Sequence, residues 1–165
     1  MIIRPSVRLA KRLKCEFSKP SVPVPYLGTL HSWSGELLRL KSVGSHAIMS
    51  NEETLLTVIV PLAGVRDFTQ FLPLFLARVA ALWRQFDGAF DPLNQTVVVL
   101  KRTERALIGS HNDIIRMLRF HVENALDEWE TVDWSKAEEF INDTPFKLIA
   151  YAHPAEEFAR QLGKG

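Results

Sequence analysis

Apolar positions divide the chain into helical and strand-like stretches. Behind Ser6, Leu9, Ala10 and Leu13 recur at helical spacing, which predicts a short helix over 7–14, capped by Ser6, with one apolar and one basic face. Pro20, Pro23 and Pro25 withhold backbone donors, so 19–26 reads as an extended connector. In 36–41, Leu38 and Leu40 alternate with Arg39 and Lys41, and Gly44 supplies a turn into a second strand near 46–50, the pattern of a hairpin. Residues 54–60 carry β-branched residues on both faces, as a central strand does. Asn51 followed by Glu52 and Glu53 also suits a helix N-terminus, and of the two we expect the strand.

Further on, Phe68, Leu72, Phe75, Val79, Leu82 and Phe86 keep to one face of a long helix over 67–86, with Pro73 kinking it or standing in its first turn. Gly88, Asp91, Pro92 and Asn94 form a loop and 96–101 returns as a strand. Ile114, Leu118, Val122 and Ala125 are the inward stripe of a second long helix over 114–126. Ser135 with Glu138 reads as a capping box for a third helix, and Pro154 as the first residue of a terminal one. The expected architecture is one α+β domain over 1–165, an antiparallel sheet of about four strands packed against two long helices.

Composition agrees with a globular domain and excludes wholesale disorder: of 165 residues 47% are hydrophobic and 24% charged. The longest apolar run, 71–83, is broken by Pro73 and Arg78 and falls short of the ~20 residues that span a bilayer, so no membrane association is expected. The first residues lack an apolar signal region. Their basic helix has a faint likeness to a mitochondrial presequence, but a surface helix of the domain is the expectation. A lone Cys15 rules out an intramolecular disulfide and fits a reducing, cytoplasmic setting.

The net charge of +1 conceals a segregation: 1–20 hold six basic residues against Glu16, and 122–143 hold eight acids against Lys136. Such segments are expected to face each other within the fold or across a homodimer. Nucleic acid is a weaker expectation for the basic helix, since the pI of 7.9 lacks the strongly basic footprint of such domains.

Candidate chemistry centres on 109–113. Gly109, Ser110, His111, Asn112 and Asp113 precede the second long helix, and Ser110 and Asp113 suit capping of its free amides. With Arg102 or Arg105 nearby, the same amides suit a carboxylate or phosphate, so Arg102, Ser110, Asn112 and Asp113 are the expected ligand contacts. A Ser/His/Asp triad is disfavoured because its members are assembled by folding, not by adjacency. His31, His46, His111, His121 and His153 show no metal-binding spacing, and the isolated glycines form no phosphate loop, so no metal or cofactor is expected. Cys15 follows basic residues that would lower its pKa, without a histidine motif to make it catalytic. Trp33, Trp129 and Trp134 are expected to be buried against the connectors they flank.

The opening Met1-Ile2-Ile3-Arg4-Pro5, the run from Leu9 to Lys14, Trp33, Ser50-Asn51 with Thr54-Leu55, Gly109-Ser110 with Asn112-Asp113, and Thr144-Pro145 ahead of Tyr151 and Pro154 together resemble a family of bacterial proteins of unknown function. The resemblance covers nearly the whole chain. It implies a bacterial cytoplasmic α+β protein of this length, with no activity or catalytic residues to transfer, and His111 stands where a methionine or similar residue would be expected. Such compact domains suggest cargo of mobile gene cassettes. The expected function is a non-enzymatic module binding a small anionic ligand or a protein partner. The alternatives are a small hydrolase or transferase using His111 or His121 beside Ser110 or Cys15, and a nucleic-acid regulator acting through Arg8 and Arg12.

Overall fold

The chain opens with a strand that its pattern conceals. In the computed structural model, which describes residues 1–18, 29–129 and 131–163 (Thr29 and 126–129 by backbone alone), β1 (Ile2–Pro5) is too short to show alternation. It lies parallel to both β2 (Ser32–Leu40) and β5 (Val98–Val99). β2 pairs antiparallel with β3 (Gly44–Asn51), as the hairpin predicted, and β3 pairs antiparallel with β4 (Thr57–Pro61), giving the order β4-β3-β2-β1-β5. The α+β class and the two long helices stand. The sheet has five strands and is mixed because α1 (Val7–Leu13) carries the chain from β1 over to a parallel β2. The expected connector over 19–26 lies outside the described residues.

Both faces of the sheet are covered. On one side Leu9 and Leu13 of α1, Phe71, Phe75, Val79 and Trp83 of α2 (Phe68–Gln85), and Phe158 of α5 (Pro154–Leu162) meet Ile3, Trp33, Met49, Val58 and Val60. On the other, Leu107, Ile114, Leu118 and Val122 of α3 (Arg105–Trp129) and Ala137 and Ile141 of α4 (Trp134–Asn142) meet Leu38, Leu40, Ile48 and Ile59. Alternate residues along β3 and β4 serve opposite cores, as the two-residue strand period requires. Trp33 meets Phe75 edge-on at 5.5 Å, and burial of each such ring is worth roughly 1.5–3 kcal/mol. Gly35 permits the close approach of α1, since a Cβ there would come within 2.6 Å of Met49 Sδ and 2.7 Å of a Leu9 methyl.

Several boundaries move for identifiable reasons. Asn51 closes the turn from β3 to β4, its Oδ1 accepting from the Glu53 and Thr54 amides, both at 3.1 Å, so the turn supplies the side-chain cap that suggested a helix. Pro73 stands inside α2 beyond the first turn, and Asp67 is the N-cap. The capping box expected at Ser135 and Glu138 is replaced by Asp133, whose carboxylate accepts from the Ser135 and Lys136 amides. The strand expected over 96–101 contracts to β5.

Freed from capping, Glu138 serves the sheet. β4 is an edge strand in the sheet order, not the central strand its composition suggests. Its burial on both faces comes from helices, and its outer edge is covered by side chains of α4. Asn142 Oδ1 accepts from the Thr57 amide at 2.7 Å while its Nδ2 donates to the Thr57 carbonyl at 2.9 Å. Glu138 Oε2 accepts from the Ile59 amide at 2.8 Å, and both of its oxygens accept from Arg78 of α2. An amide and a carboxylate thus stand in for a sixth strand and block edge-to-edge pairing. Asn142→Ala is expected to lower unfolding free energy by roughly 2–4 kcal/mol in urea titrations, because it leaves two buried backbone groups unpaired. A loss of under about 0.5 kcal/mol, the size of an ordinary surface substitution, would show that α4 does not hold the edge.

Candidate functional site

The segment 109–113 lies inside α3, which begins at Arg105, so its amides are bonded within the helix. The apolar stripe continues back from Ile114 through His111 to Leu107, and this is the periodic signal that would have located the true start. Ser110 Oγ donates to the Ala106 carbonyl at 3.3 Å, Asn112 is exposed, and exposed Asp113 pairs with Arg116 at 3.1 Å. Arg102 turns instead into the protein and pairs with Glu36 at 2.9 Å. The structure does not bring these four residues together, and the free helix-start amides on which their convergence depended are absent.

Arg102 belongs to a polar sector enclosed between α3 and the sheet. Glu36 accepts from Arg102, from Ser6 Oγ at 2.7 Å and from the Leu37 amide at 3.1 Å. Ser6 in turn caps α1, as expected, by accepting from the Leu9 amide. Beside this group Arg4 pairs with Glu52, which also accepts from Ser34 Oγ. The register then carries a polar row across the sheet, Arg4 opposite Ser34, Ser34 opposite Ser50 and Ser50 opposite Thr57, with Ser50 and Thr57 hydrogen-bonded at 2.7 Å. His111 is 0% exposed, and among the described residues neither of its ring nitrogens nor Arg102 Nη1 has a hydrogen-bond partner. Burial, assisted by the Arg102 charge, holds the His111 pKa down at about 3, so the ring is neutral near pH 7.

A different arrangement lies at the end of β1. The β1–β2 register stops at Pro5 opposite Gly35, whereas β2 continues to Leu40 against β3 alone. The upper half of β2 therefore has no strand on its β1 side. α1 leaves at that point and α3 passes on the far side, which opens a cleft of about 610 Å³ lined by Arg8, Lys11 and Arg12 of α1, Leu37 and Arg39 of β2, and Arg119 of α3. Among the described residues no acidic one lines it. Arg12 is anchored through Nη2 to the carbonyls of Leu62 and Val65, at 3.1 and 2.9 Å. Arg8, Lys11, Arg39 and Arg119 are exposed and make no ion pair among the described residues. Asn112 lies seven residues, about two turns, before Arg119 and hence on the same side of α3. The sequence marked the basic face of α1, but the convergence of Arg39 and Arg119 upon it depends on β1 being short.

A protein-family comparison matches residues 2–157 to the domain of unknown function DUF6933. The chain belongs to the DUF6933 family. No curated protein and no solved structure matches it. In this DUF6933 domain the helices of the two oppositely charged segments pack on opposite faces of the sheet, α1 on one and α4 on the other, and no ion pair joins the two segments among the described residues. No helix among the described residues is long and apolar enough to cross a membrane. Nor does any group of three or more His, Cys, Asp and Glu among them stand ready to hold a metal ion.

The remaining candidates separate. Burial raises the Cys15 pKa above its ordinary value, only partly opposed by a backbone hydrogen bond, which overturns the lowered value expected from its basic neighbours. His121 stacks on Phe140 at 4.6 Å. Neither His111 nor His121 lines a described cavity with Ser110 or Cys15. Trp33 is buried and Trp134 is half-buried against His46, with ring centroids 3.8 Å apart, whereas the side chain of Trp129 lies outside the described set.

The buried His111 makes stability fall in acid. An unfolded imidazole takes up a proton near pH 6.5, whereas the folded one does so only near 3, so between these values the unfolded chain binds more protons. Stability contributed by the neutral ring is full above about pH 6.5 and is lost as pH falls toward 3, by on the order of 2 kcal/mol at pH 4.5. His31 and His46, also lowered by burial, add to the same slope. Urea titrations at pH 7.5 and 4.5 should therefore show a smaller acid loss for His111→Phe than for the parent chain. An equal loss in both would remove His111 as a cause.

Proposed function

We propose that this DUF6933 domain is a binding module for an anionic ligand, held in the cleft beyond the end of β1. One observation carries the reading: cations from three elements converge there with no acid among the lining residues, in a chain whose net charge is only +1. Arg8 and Lys11 at i,i+3, and Arg8 and Arg12 at i,i+4, repel one another along α1, and among the described residues no carboxylate pairs with them. A bound anion would. This moves the anionic-ligand reading from 109–113 to the α1–β2–α3 cleft and retains Asn112 as a candidate rim contact, whereas Arg102 is already engaged by Glu36.

A hydrolytic reading gains no support, because it needs His111 or His121 beside Ser110 or Cys15, and the first ring is enclosed while the second stacks on Phe140. The free Cys15 accords with a cytoplasmic setting.

Retention on heparin tests the reading. The parent chain should elute at clearly higher salt than Arg8→Glu with Arg39→Glu, two exposed positions whose replacement leaves the core and the circular dichroism spectrum unchanged. Elution of both proteins at the same salt would sink it.

A further inference from the structure

Resting on that reading, the geometry points to a compact oligophosphate, several phosphates linked within one small ligand or ligand tail, as the anion that the cleft takes. Three features narrow the class. Arg8, Lys11, Arg12, Arg39 and Arg119 come from three elements to line one half-open concavity of about 610 Å³, so their charges converge on one volume and do not run along an extended track. Among the described residues Leu37 is the sole apolar one in the lining and no aromatic side chain joins it, so these residues offer no platform for stacking nucleobases. No described lining side chain is a hydrogen-bond acceptor, so the donors of a sugar, a base or an amide backbone go unread by these side chains. What remains legible to these residues is negative charge and oxygen acceptors at high density.

Two details suit phosphate in particular. Arg12 is held by the Leu62 and Val65 carbonyls through Nη2 alone, which fixes the guanidinium while leaving its other N–H groups for a phosphate, with little side-chain entropy left to lose on binding. The open edge of β2 adds a neutral donor. The Leu37 amide, on the side of β2 away from β3, is taken by Glu36, and strand alternation directs the Arg39 amide the same way, into the cleft. A single orthophosphate would engage a fraction of these groups, whereas adjacent phosphates would engage most of them. An acidic peptide spaces its same-side carboxylates two residues, roughly 7 Å, apart and would use the cations less fully.

Isothermal titration calorimetry of the full chain with inorganic tripolyphosphate, orthophosphate, oligothymidylate and hexaglutamate separates the possibilities. We expect tripolyphosphate to bind at least about tenfold more tightly than any of the other three. Arg12→Gln should abolish that preference, and because Arg12 also holds backbone carbonyls, Arg8→Gln with Arg39→Gln provides the same test at exposed positions. Tighter binding of oligothymidylate or hexaglutamate, or equal binding of orthophosphate, overturns the oligophosphate assignment while the anion-binding cleft survives. Binding of none of the four overturns both, as does tripolyphosphate binding that the exposed double variant leaves unchanged.

Discussion

Covering the sheet on both faces is the constraint from which the rest follows. Polar groups on a strand facing solvent can rely on water, but here each must find a partner inside the protein or carry the cost of desolvation. Ser34, Ser50 and Thr57 occupy facing positions on three strands of the α3–α4 side: Ser34 is taken up by Glu52, which also holds Arg4, Ser50 and Thr57 bond each other, and Asn142 satisfies the Thr57 backbone. Glu36 and Arg102 solve the same problem at the β1–β2 junction. These contacts tie the ends of β1, β3 and β4 together and fix their register, because a slip of one residue would carry the hydroxyls into the opposite, apolar core.

The same sheet sets the cleft. Had β1 matched β2 in length, a strand would fill the space beyond Pro5, and α1 would begin farther from Leu37 and Arg39. Ser6 stops it by starting a helix: its hydroxyl caps α1 and is itself oriented by Glu36, which also takes the first unpaired β2 amide. One carboxylate therefore ends the parallel pairing, steadies the helix that brings three cations to the cleft, and holds Arg102 beneath α3. Arg102 is drawn inward by this partner, while Arg39, two residues from nothing but apolar and basic neighbours on its side of β2, stays free.

Periodicity in the sequence was enough to read the long helices, the β2–β3 hairpin and the Ser6 cap, because each shows itself through residues near one another in the chain. β1 escaped because four residues carry no period and their pairing partner lies thirty residues on. The start of α3 escaped for an opposite reason. Gly109, Ser110, Asn112 and Asp113 are poor helix-interior residues, and their composition outweighed the Leu107–His111–Ile114 spacing that the fold follows. Helix boundaries at such polar runs are decided by tertiary burial of the stripe, which the composition of the run does not show. Of the cleft, only α1's basic face was legible, since Arg39 and Arg119 reach it through topology.

Exposed cations without partners are common and mean little singly, since water solvates them well. What separates this cleft from an ordinary surface is segregation. The chain has 20 Lys and Arg and 19 Asp and Glu, so a mixed surface would set an acid beside most cations. Five described cations outside the cleft do meet a carboxylate, among them Arg78 with Glu138, Arg116 with Asp113 and Arg160 with Glu157, whereas none of the five that line it does. In the cleft five cations share one concavity, and the nearest carboxylate along β2, Glu36, is committed to Arg102, Ser6 and the Leu37 amide. Repulsion among them opposes folding in the free protein and would be relieved by an anion of the kind proposed, so affinity for that ligand and the stability of the unliganded domain would pull in opposite directions at these residues. A purely structural surface has no reason to maintain that conflict, and a binding site does.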